Sequence, residues 1–217
     1  MTLPTACVIN LDRCPENWTR MQETWSGIFN LIRISAVDGR AHGIGGAQAC
    51  KQSHFNLLQE LVKREDLYQV VLEDDVYPTP AFNSLWPKIV EFLESGRNDW
   101  DFMGLDPFVH FEKPAIEIFT PELFKVGAFR STGSLIYRTK FIKEKIDTIL
   151  HLGPGPIDMT FTHSNKFIKL TPQYLMMRQR VDKISQTSGD QNVKFYNSYY
   201  DNTEEYFEAA RKRLSEA

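Results

Sequence analysis

The chain has 217 residues, a formal net charge of −3, 42% hydrophobic residues and 24% charged residues. This composition is that of an ordinary globular protein, with enough apolar residues for one large or two small cores. The mild acidity argues against a nucleic-acid partner, because binding phosphates requires a concentrated basic surface. No apolar stretch is long enough to span a bilayer, so we expect no transmembrane segment. Peripheral membrane contact and the oligomeric state stay open.

The beginning of the chain and its cysteines predict a cytoplasmic location. The first residues, "MTLPTACVINLDR", lack the basic and apolar regions of a signal peptide. Three cysteines, Cys7, Cys14 and Cys50, are odd in number and lack zinc-like spacing. We therefore expect free thiols in a reducing compartment.

The first half of the chain alternates between strand and helix patterns. The predicted strands are "ACVINL", "LIRISAV", "YQVVLED" and "DFMGLD". The predicted helices are "PENWTRMQETWSGIFN", residues 47–65 and "PAFNSLWPKIVEFLES", in which Pro87 predicts a break. This alternation predicts βαβ units and a largely parallel sheet.

The pattern changes after Asp106. The segment "AIEIFTPELFKVGAFRSTGSLIYR" predicts strands, "TKFIKEKIDTILH" a helix, "GPGPIDMTF" a loop leading to a short helix, and "KFIKLTP" another strand. Residues 181–192 are polar and predict a mobile loop. The last helix is predicted to open at Asn202, with Glu205 at the spacing of a capping box. We expect one α/β domain over residues 1–217.

Three consecutive carboxylates, Glu73, Asp74 and Asp75, end the strand "YQVVLED". Ligands of parallel α/β sheets bind at the carboxyl ends of the strands. Alternation along a strand directs Glu73 and Asp75 to one side and Asp74 to the other. Two converging carboxylates repel each other unless a cation lies between them, and oxygen ligands suit Mg²⁺ or Mn²⁺ together with substrate phosphates. The alternative interpretation is a solvated acidic turn.

Three further residues have both a functional and a structural interpretation. Arg13, in "VINLDR", could bind a phosphate or carboxylate, or form a surface salt bridge. His54 falls on the apolar side of its helix, where it could be either a ligand or a buried core residue. Asp158 could be a general base, but an acidic residue also suits the first turn of a helix.

Several blocks, taken in order, resemble glycosyltransferase family 25, which includes bacterial lipooligosaccharide galactosyltransferases and the procollagen galactosyltransferases. The blocks extend from Ala6 to Gln179: "VINLDRCPENWTRM", "AVDG", "ACKQSH", "VVLEDDV", "WDFMGL", "STGSLIYRTKFIKEKI", "PIDMTF" and "TPQYLMMRQ". The first block and "VVLEDDV" are the most specific. Lipopolysaccharide biosynthesis is one setting that the resemblance implies.

The resemblance implies a GT-A-like nucleotide-diphospho-sugar transferase fold, with a single mixed, mostly parallel sheet flanked by helices. Residues 1–106 would then be the half that binds the nucleotide sugar, and residues 107–217 the acceptor-side half with the C-terminal helix. It also implies a UDP-sugar donor, a glycan or glycoprotein acceptor, Mn²⁺ or Mg²⁺, and inversion at the anomeric carbon.

Family roles carry over to individual residues as expectations. Asp75 would bind the metal directly. Glu73 would either bind the metal through a water molecule, as a second metal-binding residue, or face the ribose of the nucleotide. Asp74 belongs to the same nucleotide-binding block, and Asp158 matches the family's Pro-x-Asp as the catalytic base. The remaining predicted donor-site residues are Asn10, Leu11, Arg13, Asp38, Ser53 and His54.

An aromatic platform and two competing functions complete the sequence predictions. Five residues could form a platform for a sugar acceptor or could simply be packing residues: Trp86, Trp100, Phe108, His110 and Phe111. A Mg²⁺-dependent phosphotransfer domain would also cluster acids at strand ends. A catalytically degenerate glycan- or nucleotide-binding protein is the other alternative.

Overall fold

A computed structural model of the chain describes residues 3–109, 115–180 and 193–216, and for residues 193–196 it describes the backbone only. Eight strands form one sheet in the order β2-β1-β3-β8-β5-β9-β7-β6, and two more form the small sheet β4-β10. The strands are β1 (Thr5–Asn10), β2 (Asn30–Ser35), β3 (Tyr68–Glu73), β4 (Val76–Pro78), β5 (Phe102–Gly104), β6 (Ile116–Thr120), β7 (Leu123–Val126), β8 (Ser134–Arg138), β9 (Lys169–Pro172) and β10 (Met177–Gln179). The predicted α/β class is confirmed.

Helices flank the large sheet. They are α1 (Pro15–Trp25), α2 (Gly39–His42), α3 (Gly46–Leu61), α4 (Phe82–Glu94), α5 (Thr139–Leu150), α6 (Ile157–Thr160) and α7 (Val193–Ser215). Alternation along the strands divides the core in two. Val8 and Leu72 face α1 and α4, whereas Cys7, Ile9 and Val71 face α3, α5 and α7. No helix among the described residues is long and apolar enough to cross a membrane.

The prediction of a mostly parallel sheet is wrong. Strand pairs β1–β2, β1–β3 and β5–β9 are parallel, but β3–β8, β5–β8, β7–β9 and β6–β7 are antiparallel. A parallel pair needs a long crossover, whereas an antiparallel pair such as β6–β7 needs only a short turn. The chain after Asp106 builds such pairs, and it inserts β8 in the opposite direction between β3 and β5.

Two helix predictions are also corrected. Pro87 does not break its helix, because α4 continues from Phe82 to Glu94. Tertiary packing supports α4 here: the ring of Trp86, next to the proline, stacks on Phe82 at a centroid distance of 5.4 Å.

The last helix begins at Val193 and not at Asn202. Its buried face repeats at helical spacing through Tyr200, Thr203, Phe207 and Ala210, so Asn202 is an exposed position inside the helix. The predicted mobile loop at residues 181–192 lies outside the described residues.

Candidate active site

Four neighbouring strands bring polar residues to one edge of the large sheet. Strands β1, β3 and β5 run in the same direction, and β8 runs against them between β3 and β5. The carboxyl ends of the first three strands therefore meet the amino end of β8. Asn10, Glu73 and Ser134 are the residues at these ends, and Asp106 follows β5 by two positions.

Glu73 is held from the α3 side of the sheet. Its Oε1 lies 3.0 Å from His54 Nε2, accepts a hydrogen bond from Thr132 Oγ1 at 3.0 Å, and lies 3.9 Å from Cys50 Sγ. Burial acts to raise the pKa of Glu73, but the hydrogen bonds and the charge interaction with His54 outweigh it and lower the pKa. Glu73 is therefore a carboxylate at neutral pH, and it lies on the face that strand alternation predicts.

Asp74 points to the other face of the sheet. Its Oδ2 accepts a hydrogen bond from Asn10 Nδ2 at 2.5 Å, and the same amide group donates to the Cys14 carbonyl. Asn10 Oδ1 accepts from Arg33 Nε at 2.7 Å. Both the Nδ2 and the Oδ1 atoms of Asn10 therefore have partners within the protein, and Asn10 holds Asp74 in position.

Asp75 places one of its carboxyl oxygens in a buried position. Its Oδ1 is inaccessible to solvent and has no hydrogen-bond partner within residues 3–109, 115–180 and 193–216. Burial raises the pKa of Asp75 well above its ordinary range, and the charges of Glu73, Asp74 and Asp106 raise it further. An unpaired buried carboxylate is costly. This oxygen is therefore where a cation would bring the largest gain.

Asp106, which the sequence prediction did not include, completes the acidic group. It is 1% exposed, and three donors hold its two oxygens: Ser134 N at 2.9 Å, Ser134 Oγ at 2.7 Å and Ser131 Oγ at 2.6 Å. Burial raises the pKa of Asp106 to about 7 despite these bonds, and the Glu73 charge contributes to the increase. Asp106 therefore changes charge near neutral pH.

The segment Ser131–Ser134, "STGS", surrounds both Glu73 and Asp106. Ser131 has φ of 84°, in the left-handed region that disfavours side chains with a Cβ. Its hydroxyl reaches Asp106 and also accepts from the Gly133 amide at 3.2 Å. Strain of this kind occurs often at functional sites, where the surrounding contacts hold it in place.

Gly133 is required by the close approach of two side chains. A Cβ built there would lie 2.6 Å from both Asp106 Oδ2 and Gln179 Nε2. The backbone N–H of Gln179 donates to the Tyr200 hydroxyl at 2.5 Å, and Tyr200, in α7, is fully buried. Burial and the charge of Asp106 raise the pKa of Tyr200 well above its ordinary range. The C-terminal helix therefore reaches the acidic group.

The predicted donor-binding residues after β1 and around α2 form a second group. Arg13 Nε donates to Asp38 Oδ2 at 2.8 Å, and Asp38 caps α2 by accepting from the Arg40 amide at 3.0 Å. Burial acts to raise the pKa of Asp38, but these bonds outweigh it and lower the pKa. Leu11, half-buried, accepts a hydrogen bond from the Cys14 amide at the start of α1.

Ser53 and His54 lie deeper than Arg13. Ser53 is buried, accepts from the Val37 amide at 2.8 Å and donates to the Ala49 carbonyl at 2.8 Å, so it fixes the loop that carries Asp38. His54 is 1% exposed, and its Nδ1 has no hydrogen-bond partner in the described part of the chain. Both residues support the site from α3.

Asp158 enters the site from the side of α6. As predicted, it lies in the first turn of a short helix that follows a loop, and Lys51 of α3 holds that loop by donating to the Gly153 carbonyl at 2.7 Å. Burial raises the pKa of Asp158, and the Glu73 charge adds to the increase, while Arg130 and His163 act to lower it. The chain therefore places a half-buried, separate carboxylate within electrostatic reach of Glu73.

Three of the five residues predicted for the aromatic platform are buried. Trp86, Trp100 and Phe108 are 9%, 2% and 7% exposed and belong to the core, since packing against other rings buries more apolar area than a rim position would. His110 and Phe111 lie outside the described residues. Tyr77 and Tyr174 do expose their rings, in a groove of about 530 Å³ along β4 and β10 that also contains Arg178 and Arg211.

No protein-family model and no curated protein matches the chain. The family resemblance of its motifs therefore stays a prediction. The structure shows an α/β fold in which several carboxylates lie at one edge of an eight-stranded mixed sheet. Some solved structures are distantly similar to this fold.

HddC from Yersinia pseudotuberculosis is 12% identical over 81% of this chain and 72% of its own, with a TM-score of 0.40. The galactosyltransferase LgtC, solved with donor and acceptor sugar analogues, is 10% identical over 67% of this chain and 62% of its own, with a TM-score of 0.36. Similarity at this level establishes neither a shared activity nor a shared site.

Proposed function

We propose that this chain is a metal-dependent, inverting glycosyltransferase that moves a hexose from a UDP-sugar to a glycan or glycoprotein acceptor. The observation that carries the proposal is Asp75: its buried Oδ1 has no hydrogen-bond partner among the residues that the structure describes, and three other carboxylates lie close enough to act on its charge. A buried charge of this kind costs several kcal/mol unless a cation compensates it. A divalent ion together with a sugar-nucleotide diphosphate would supply that compensation.

The donors present fit Mn²⁺ or Mg²⁺, which prefer oxygen ligands and bind through one or two carboxylates plus substrate phosphates. Asp75 would hold the ion, with Glu73 as the second carboxylate. Asp106 has hydrogen bonds on both oxygens, so it would contribute charge without direct coordination. The bound metal would act as a Lewis acid that stabilises the diphosphate leaving group.

The nucleotide would bind beside the carboxyl end of β1. Arg13 offers a planar guanidinium there, and Asp38 fixes its direction through a hydrogen bond at 2.8 Å. Leu11 offers apolar surface at the same edge. Asn10 and Ser53 have their polar groups engaged within the protein, so they position Asp74 and the Asp38 loop.

Asp158 would be the general base. An inverting transfer needs one carboxylate to take the proton of the acceptor hydroxyl on the face opposite the leaving group. Asp158 is separate from the strand-end acids, and its raised pKa makes it a stronger base than an ordinary aspartate. The exposed rings of Tyr77 and Tyr174 offer a surface on which an acceptor sugar can stack.

Isothermal titration calorimetry tests the proposal. UDP should bind in the presence of Mn²⁺ and should bind at least about tenfold more weakly with EDTA or in Asp75→Asn. Asp99→Asn is the matched control, because Asp99 is an exposed aspartate that precedes the amino end of β5, whereas the acidic group lies at the carboxyl end of that strand. Failure of the wild type to bind UDP with or without metal would overturn the proposal.

A positive titration leaves two functions to separate. A transferase releases UDP from a UDP-hexose when metal is added, whereas a degenerate binding protein binds UDP and leaves the donor intact. Single-turnover chromatography of the nucleotide products distinguishes them. Donor binding without any release of UDP would contradict enzymatic activity and keep only the binding site.

A further inference from the structure

Cys50, His54 and Glu73 bring three different donor atoms together on the α3 side of the sheet. Cys50 and His54 are four residues apart in α3, so they lie on one face of the helix, one turn apart. Glu73 comes from the end of β3 and meets both. Sγ, an imidazole nitrogen and a carboxylate oxygen all lie within 4.8 Å of one another.

These separations approach those of a tetrahedral zinc site. Zinc bonds of about 2.3 Å to sulfur and about 2.0–2.1 Å to nitrogen or oxygen place neighbouring donors roughly 3.3–3.6 Å apart. His54 Nε2 and Glu73 Oε1 are 3.0 Å apart, and Cys50 Sγ is 3.9 Å from the same oxygen. These two separations are within a few tenths of an ångström of the tetrahedral values, and the third, between Cys50 Sγ and the imidazole, is at most 4.8 Å, so side-chain adjustments would give coordination geometry.

We propose that Cys50, His54 and Glu73 form a binding site for Zn²⁺ or a similar thiophilic divalent ion. The mixed sulfur, nitrogen and oxygen donors suit zinc, whereas Asp75 offers only oxygen and suits Mn²⁺ or Mg²⁺. The spacing of the cysteines alone gives no sign of this site, because only one of its ligands is a cysteine. The site shares Glu73 with the proposed Mn²⁺ or Mg²⁺ site, and its test does not depend on glycosyltransferase activity.

The surroundings of the three side chains favour a cation and allow it to enter. Cys50 and Glu73 are only partly buried, while His54 is 1% exposed and its Nε2 faces the other two donors. The charges of Glu73, Asp158 and Asp75 act on the Cys50 thiol, whose pKa is raised well above its ordinary range by burial first and then by these acids. Zinc would reverse this effect, displacing the thiol proton to solvent and leaving a metal-bound thiolate.

Cobalt provides the test, because a thiolate bound to Co²⁺ gives a charge-transfer absorption in the near ultraviolet. The wild-type protein, reduced and free of metal, should develop this band with one equivalent of Co²⁺ and lose it when Zn²⁺ is added. Cys50→Ser should abolish the band and weaken Zn²⁺ binding by about 100-fold or more. Cys14→Ser, which removes a buried thiol outside the cluster, should keep both.

Two results would overturn the proposal: no charge-transfer band in the wild type, or a band that persists in Cys50→Ser. X-ray absorption of the zinc-loaded wild type gives an answer even if the serine variant does not fold. One sulfur at about 2.3 Å is expected, and a shell of nitrogen and oxygen alone would contradict the site. Neither experiment uses UDP or turnover, so failure here would leave the proposed transferase untouched.

Discussion

Asp106 should make the metal-free protein less stable as the pH rises through neutrality. Its pKa rises from an ordinary value of 3.8 to about 7 in the fold, first because the carboxyl is buried. Between these two values the folded protein holds a proton that the unfolded chain has lost. Folding is therefore favoured at low pH, and this contribution disappears as the pH rises through about 7.

The size of this effect follows from the shift. Each unit of pKa difference corresponds to about 1.4 kcal/mol, so the full shift is worth up to about 4 kcal/mol, and about 3 kcal/mol of it falls between pH 5 and pH 8. Asp106→Asn keeps the size of the side chain and removes the charge. The variant should therefore lose less stability than the wild type between these two pH values.

Urea denaturation in EDTA at pH 5 and pH 8 measures the difference. The free energy of unfolding of the wild type should fall more steeply with pH than that of Asp106→Asn. Asp99→Asn should follow the wild type, because Asp99 has a lowered pKa and does not titrate in this range. Identical pH dependence in the wild type and Asp106→Asn would refute the assignment of a buried, weakly acidic Asp106.

Three further variants test other parts of the site. In EDTA, Asp75→Asn should raise the free energy of unfolding by about 1–3 kcal/mol, because it removes a buried charge whose Oδ1 has no partner in the described segments. The variant should also lose the gain of about 2.7 kcal/mol that the wild type obtains at 100 times the metal dissociation constant. Equal stabilisation of both proteins by metal would contradict this. Asp158→Asn should keep UDP affinity in calorimetry and lower transfer by about 10²–10⁴-fold, and unimpaired turnover would exclude it as the base. Gly133→Ala should cost about 1–3 kcal/mol in urea denaturation, since its Cβ would meet Asp106 and Gln179 at 2.6 Å. Wild-type stability of that variant would mean that both side chains move away at little cost.

Local patterns in the sequence were sufficient for much of the fold. The strand patterns of "ACVINL" and "YQVVLED" correspond to β1 and β3, and the helical spacing of residues 47–65 corresponds to α3 within a few positions at its ends. Strand alternation also places Glu73 and Asp74 on opposite faces correctly. These features depend on residues close in sequence, whose periodicity is visible without an alignment.

Long-range pairing could not be read in the same way. The insertion of β8 between β3 and β5 depends on which strands meet, and no periodicity encodes that choice. The role of Asp106 is hidden in the sequence for the same reason, because its partners Ser131 and Ser134 are 25 and 28 residues away. The available signal was the polar segment "STGS" directly before a buried strand, which is an unusual place for three hydroxyl side chains.

Metal-dependent release of UDP from a panel of UDP-hexoses, compared between the wild type and Asp75→Asn, is the decisive measurement for a metal-dependent transferase. At least one donor should release UDP in Mn²⁺ or Mg²⁺, EDTA should stop the release, and Asp75→Asn should slow it by about 100-fold or more. Asp99→Asn should retain the wild-type rate. Release that is unchanged by EDTA and by Asp75→Asn, or no release from any donor with either metal, would contradict a metal-dependent transferase centred on Asp75.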